Sequence, residues 1–240
     1  MNLFLLRLKK LSIILLSPIL RKVFFRYFVM AGVEHRAALS HKLLTVVDVG
    51  ANRGQFALAA RAISGAKVIS FEPLQSIANI FQKIFQNDPL VNLHIAAIGA
   101  KSEKRKIHIS ARDDSSSLLE ISEHQVKLFP GTHSIDSTEI NVAPLAYFLS
   151  ADEIIRPAML KLDVQGFEID ALIGCASHFN FFDYIYCECS FIELYKNQKL
   201  ANEVIDYLHI NQFSLIGVYN PYYHDNGQCI QADFLFVRKN

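Results

Sequence analysis

The 240-residue chain has no tryptophan, only three methionines and four cysteines. No two cysteines stand in C-x-x-C spacing, so the commonest metal-ligand pattern is missing. Cys187 and Cys189 alternate within an apolar run and share a face, which reads as buried packing. No disulfide framework is evident, so a reducing compartment, the cytoplasm, is expected. The net charge is only +1, which argues neither for nor against a nucleic-acid partner, and no such partner is expected. The G-x-G-x-x-G fingerprint is absent, which counts against an NAD-dependent Rossmann oxidoreductase, one rival reading. Long apolar runs are missing as well. Leu11 to Leu20 is interrupted by Ser17 and Pro18 and falls far short of the ~20 residues that span a bilayer. A signal peptide is conceivable there, but Arg21-Lys22 follows it in place of a small-residue cleavage site.

Acid is missing from one region. Arg7, Lys9, Lys10, Arg21, Lys22 and Arg26 all precede the first acidic residue, Glu34. Basic, aromatic and amphipathic, residues 1–30 suit the surface of an anionic membrane. The alternative is a helix that packs on the domain or on a partner subunit. Residues 1–44 are read as this N-terminal helical segment, with a short helix over Gly32 to Lys42, and residues 45–240 as one α/β domain. Peripheral attachment at the inner membrane surface is the matching localisation, and the oligomeric state stays open.

Apolar residues make up 51% of the chain, ample for one α/β core. Thr45 to Phe56 organises it. Thr45 to Val49 is a short β-branched strand with Asp48 near its carboxyl end, Gly50 and Gly54 bracket a turn, and Gln55 onward is helical. Backbone approaches a ligand closely where Cβ is missing, and a helix N-terminus follows, so this is a nucleotide-type cradle. Its pattern is D-x-G-x-x-x-G. A carboxylate there would repel a pyrophosphate but suits a cation such as the amino group or sulfonium of S-adenosyl-L-methionine. Lys67 to Phe71 reads as the next strand, and Glu72 before Pro73 is placed to accept both ribose hydroxyls. The plainer alternatives are a helix cap for Asp48 and a loop acid for Glu72.

Ser76 is expected to cap a helix carrying Ile77, Ile80, Phe81, Ile84 and Phe85 on one face. Val91 to Ile98 reads as one further strand ending beside the first, where Ala97 and Ile98 flank an adenine. Lys104 to Ser110 and Thr138 to Val142 are strand candidates, with Gly131 to Ser137 as a loop between them. The polar loop Arg112 to Ser117, with Ser115, Ser116 and Ser117, either gates a substrate or merely links. Met159 to Asp163 repeats the first motif, a strand ending on an acid, with Gly166 making the turn and Phe167 to Ala176 helical. Asp163 is thereby placed where a methyl acceptor would meet the sulfonium. Tyr184 to Cys189 is a buried strand carrying Glu188, a second candidate base or a structural partner. Gly166 is expected to keep its turn clear for the acceptor. Phe213 to Tyr219 and Ala232 to Val237 form a hairpin whose tip, with Tyr222 and His224, either stacks on a sugar ring or is simply polar. A metal bridging Asp163 and Glu188 is not demanded by any ligand spacing, and none is expected.

These pieces resemble the FkbM family of S-adenosylmethionine-dependent methyltransferases. The resemblance is carried by Val47 to Phe56, Ser70-Phe71-Glu72-Pro73, Ala96 to Gly99, Ser115 to Leu118, Lys161 to Glu168 and Gln231 to Phe236. It implies a class I (Rossmann-like) methyltransferase fold: a seven-stranded, mostly parallel sheet, the last strand antiparallel, with helices on both faces. It further implies S-adenosyl-L-methionine as cofactor, held by Asp48, Gly50, Asn52, Gly54 and Glu72. Ala51, Gln55, Phe56 and Pro73 are counted with these as cofactor-contacting candidates. The implied reaction is O-methylation of a hydroxyl on a sugar, glycan or secondary metabolite, with Asp163 and then Glu188 as candidate bases. A second rival is a non-catalytic, membrane-peripheral protein that retains the cofactor fold.

Overall fold

The computed structural model describes residues 17–239, so the first half of the basic N-terminal segment lies outside the described residues. Strand β1 (Thr45–Val49) is buried at every position because it runs through the middle of a sheet covered on both faces. β2 (Lys67–Phe71) lies parallel to it on one side, and β3 (Val91–His94) parallel to β2 at the edge. The chain then adds β4 (Ala97–Ile98), β5 (Glu103–Ser110) and β6 (Ser134–Ala143) as a separate three-stranded sheet in the order β4-β6-β5. It returns to the other side of β1 with β7 (Ala158–Leu162) and β8 (Tyr184–Ser190), both parallel. β9 (Phe213–Tyr223) and β10 (Cys229–Arg238) finish the main sheet, β10 antiparallel to both β8 and β9. The order β3-β2-β1-β7-β8-β10-β9 is the seven-stranded, mostly parallel sheet expected. Its topological switch lies between β1 and β7, so the crevice for a ligand opens at their carboxyl ends.

Helices cover both faces: α1 (Pro18–Tyr27), α2 (Arg36–Leu39), α3 (Gln55–Ile63), α4 (Gln75–Phe85), α5 (Glu123–Leu128), α6 (Glu168–Cys175) and α7 (Ala201–Ile210). Alternation along β1 divides the core. Val47 and Val49 pack with Ala171, Leu172, Val204 and Leu208 of α6 and α7. Val46 points the other way, into a cluster with Phe56, Phe81 and Phe85. Leu20, Val23, Val29, Leu39 and Leu43 belong to that same second cluster, so residues 20–43 share the core of β1, α3 and α4.

Three local expectations need correction. Val91 to Ile98 is not one strand. It breaks after His94, and Ala97 and Ile98 pair with Val142 and Ala143 in the second sheet. β3 also sits beside β2 and not beside β1, which takes its second partner from β7. The strand read as starting at Thr138 begins at Ser134, within the expected loop, because Ser134 to Ser137 already pair with β5. Finally, Ser76 does not cap α4. The helix starts two residues earlier, at Gln75 with Leu74 in the cap position, and the Leu74 N–H is satisfied by Glu72 Oε1 at 2.8 Å.

Candidate active site

The turn after β1 is shaped by glycine where the two central strands meet. Gly50 has φ +78°, and a Cβ there would fall 1.8 Å from the Asp163 carbonyl oxygen, so only glycine lets the ends of β1 and β7 approach. The Gly50 and Ala51 N–H groups donate to the Phe71 carbonyl, and Asn52 then turns left-handed at φ +48°. Its backbone N–H donates to Glu72 Oε2 at 3.0 Å. Glu72, only 6% exposed, is thus fixed by one N–H on each carboxylate oxygen, from Asn52 and Leu74, leaving a lone pair on each. Burial pushes its pKa up to about 7, against the opposing pull of those two N–H groups.

The same turn holds the polar loop. Asn52 Nδ2 donates to the Asp113 carbonyl at 2.8 Å, and Arg53 pairs with the Asp113 carboxylate at 2.5 Å. At its far end Ser117 Oγ donates to the Gln165 carbonyl at 2.6 Å. The loop is therefore latched to both motifs and forms a wall of the crevice.

Asp48 takes a different place from the one its position in the motif suggests. It is fully buried beneath the crevice floor, 3.0 Å from Lys161 Nζ, its direct neighbour in the β1–β7 register. Lys161 also donates to the Gly50 carbonyl at 2.8 Å and stands 3.8 Å from Asp163. Burial disfavours its charge, but Asp48 and Asp163 outweigh that and raise its pKa, so the ammonium persists. Lys161 and not Asp48 reaches the cavity wall. The carboxylate expected to meet a ligand cation is already paired to a cation of the protein.

Beyond β7, Asp163 lines the cavity with 40% of its side chain exposed. Gln165, left-handed at φ +54°, points its amide nitrogen at Asp163 Oδ1 (2.7 Å) and at Glu188 Oε2 (2.9 Å). Its amide oxygen accepts from the Tyr195 hydroxyl at 2.7 Å. Glu188 accepts also from Gln231 at 2.7 Å and does not reach the cavity lining. Burial, then the nearby Asp163, Asp233 and Glu168, hold its pKa well above the usual carboxylate range. The space beside Gly166 is filled by the Tyr195 ring, 3.0 Å from where a Cβ would stand, so this glycine serves packing and leaves no room for an acceptor.

These walls enclose a cavity of about 510 Å³, within the range of small-ligand sites. Of the residues singled out from the sequence, Gly50, Ala51, Asn52, Gln55, Phe56, Glu72, Pro73, Ala97, Ile98, Ser116, Ser117 and Asp163 line it. Gly54 does not. It lies against the rings of Phe81 and Phe85. Ser115 is buried behind the wall, bonded to Asp114. Tyr222 packs on Phe129, and His224 sits in the exposed β9–β10 tip, so the fold does not bring either to the cavity. Lys161, Arg53 and His35 were not singled out. The strand alternation that puts Lys161 on the face of Asp163 was legible in the sequence. The contact of His35 with Tyr186 (3.1 Å) and Asp233 (3.4 Å) spans the chain and was not.

Comparison with known proteins decides the family. The methyltransferase FkbM domain matches residues 48–215, well over half of the chain. This chain belongs to the FkbM methyltransferase family. No curated protein matches the sequence. Among solved structures, Sp1610 of Streptococcus pneumoniae, named as a candidate tRNA (m1A22) methyltransferase, is 9% identical, with TM-score 0.50 over 87% of this chain and 69% of that one. The same protein in complex with S-adenosyl-L-methionine is 8% identical, with TM-score 0.49 over 85% and 70%. Precorrin-6y C5,15-methyltransferase of Geobacter metallireducens GS-15 is 9% identical, with TM-score 0.47 over 86% and 88%. At 9% identity the likeness to Sp1610 concerns the fold alone, a class I methyltransferase sheet. As an FkbM methyltransferase the protein uses S-adenosyl-L-methionine. The cavity fits it: a buried acid offers two free lone pairs, an apolar flank is formed by Ala97, Ile98 and Phe167, and Asp163 supplies negative charge across the cavity.

Proposed function

We propose that this FkbM methyltransferase methylates a hydroxyl oxygen of a sugar, glycan or secondary metabolite, with Asp163 as the base. The observation that carries the reading is Asp163 itself, a half-exposed carboxylate at the end of β7, aimed by the Gln165 amide into the same cavity as Glu72. When bound, S-adenosyl-L-methionine supplies a methyl carbon activated by sulfonium. In this reading Glu72 accepts both ribose hydroxyls, while Ala97, Ile98 and Pro73 flank the adenine. Gly50 to Arg53, with Gln55 and Phe56, lines the remainder. Asp48 acts from beneath, by holding Lys161 in place.

An alcohol is a weak nucleophile until its proton leaves, and a positioned base contributes typically ~10²–10⁴-fold. Asp163 would take that proton, and the cavity walls would hold the acceptor oxygen oriented for transfer. Glu188, its pKa raised and its oxygens taken up by Gln165 and Gln231, supports Asp163 through the shared amide. The test is transfer of labelled methyl from the cofactor into extracts of host glycans and small molecules, with the product identified by mass spectrometry. A methyl ether on a hydroxyl is expected. Label on nitrogen, on carbon or in RNA would overturn the assignment.

A further inference from the structure

Helix α1 is amphipathic, and the proposed chemistry does not use it. Leu20 and Val23 are buried, and Phe24 and Tyr27 pack beside them, with the Tyr27 hydroxyl reaching the Lys83 carbonyl of α4. That is an i, i+3, i+4, i+7 stripe, and it attaches the helix to the core. The opposite face carries Arg21, Lys22, Phe25 and Arg26, all exposed, and no acid occurs before Glu34. Phe25 is 69% exposed, and Phe28, in the left-handed position that ends the helix, is 79% exposed. Water-facing phenylalanines among basic residues are costly for a surface that meets only solvent.

The chain leaving α1 goes straight to the active site. Phe28, Val29 and Met30 line the cavity beside Gln55 and Asn52. The exposed aromatic and basic face therefore runs without a break into the cavity's lip. We propose that this face docks on an anionic lipid bilayer and that the hydroxyl-bearing acceptor reaches the cavity from that bilayer, as part of a membrane-borne molecule. The charges suit acidic headgroups, and Phe25 and Phe28 suit the boundary of headgroup and acyl chain. The acceptor half of this proposal rests on the methyl-transfer reading above, whereas the docking half does not.

The full chain should cosediment with phosphatidylcholine vesicles that contain phosphatidylglycerol and ignore pure phosphatidylcholine, with binding that weakens as salt screens the charges. A triple variant, Lys22→Glu, Phe25→Ser and Arg26→Glu, changes only exposed side chains outside the cavity. It should bind the anionic vesicles about tenfold or more weakly while its Tm and cofactor affinity stay as in the wild type. Equal binding by variant and wild type, or indifference of the wild type to anionic lipid at low salt, would overturn the docking face. In the second arm the protein and labelled cofactor meet washed host membranes and soluble extract separately. Label in the membrane fraction supports the acceptor class, and label only in the soluble fraction overturns it. Label in neither, with vesicle binding intact, would overturn methyl transfer to these acceptors and leave the docking face supported.

Discussion

In the role proposed for it, Glu72 is buried in the cavity wall yet has to be ionised to accept two ribose hydroxyls, and these requirements conflict. Burial has raised its pKa to about 7, so without cofactor the carboxyl is partly protonated near neutrality. Cofactor affinity should therefore climb through pH 7 and level off above it. By calorimetry the Kd at pH 6 should be roughly tenfold weaker than at pH 8, and Glu72→Gln should bind weakly at both. The stability effect has the opposite sign. Between its unfolded value of 4.5 and about 7, the folded protein holds the Glu72 proton more tightly than the unfolded chain does. Its contribution to stability without cofactor thus falls as pH rises across that window, and Glu168, also raised to about 7 by burial, adds to the fall. Thermal melts of the cofactor-free protein at pH 5 and pH 7.5 would measure it, with Glu72→Gln reducing the difference. Asp163 makes a different demand, for reach. Asp163→Asn keeps the size and loses the base, so kcat should fall on the order of 10²-fold or more with cofactor affinity nearly unchanged. Normal turnover would leave Asp163 as an organiser of the strand end only.

At the scale of elements, two loops act as one structure. The β1–α3 turn orients Glu72 through the Asn52 N–H and holds the 112–117 loop through Asn52 and Arg53. The Arg53–Asp113 pair is one-third exposed on each side, and such pairs contribute only ~0–1 kcal/mol to stability. Arg53→Ala should accordingly leave Tm within a degree or two, yet loosen the wall over the cavity. Faster amide exchange at residues 110–117 and several-fold faster cofactor release, measured by stopped flow, are the expected results. An unchanged release rate would mean that the loop is held by Ser117 and Asn52 alone. Much of this level was legible beforehand, because strand, glycine turn and helix recur in sequence at Thr45 to Phe56 and at Met159 to Glu168. The break after His94 was not. Ile95-Ala96-Ala97-Ile98 is as apolar as the strand before it, and only a partner 45 residues further on, Val142 with Ala97, draws it into the second sheet.

At the scale of the whole molecule, α1 closes the face of the sheet that carries Val46, Met159 and Leu235. Leu20→Ala leaves a cavity in that cluster and should cost about 2–5 kcal/mol, read from chemical denaturation. Removing residues 1–31 would uncover Leu39, Leu43 and Phe81 together and should cost more than the single substitution. If that shortened chain unfolds at the same denaturant concentration as the full one, α1 contributes nothing to the core. The sequence by itself determined the strand ends and their acids, because β periodicity and glycine turns are local properties of the chain. It also determined the family, through motifs that each span only a few residues. What only the tertiary structure decided is which acids face the ligand. Asp48 and Asp163 look alike in sequence, each at the end of an apolar strand before a glycine turn. Pairing β1 with β7 places Lys161 directly beside Asp48, where a buried carboxylate needs a cation, while Asp163, two residues further along, clears the sheet and meets the cavity.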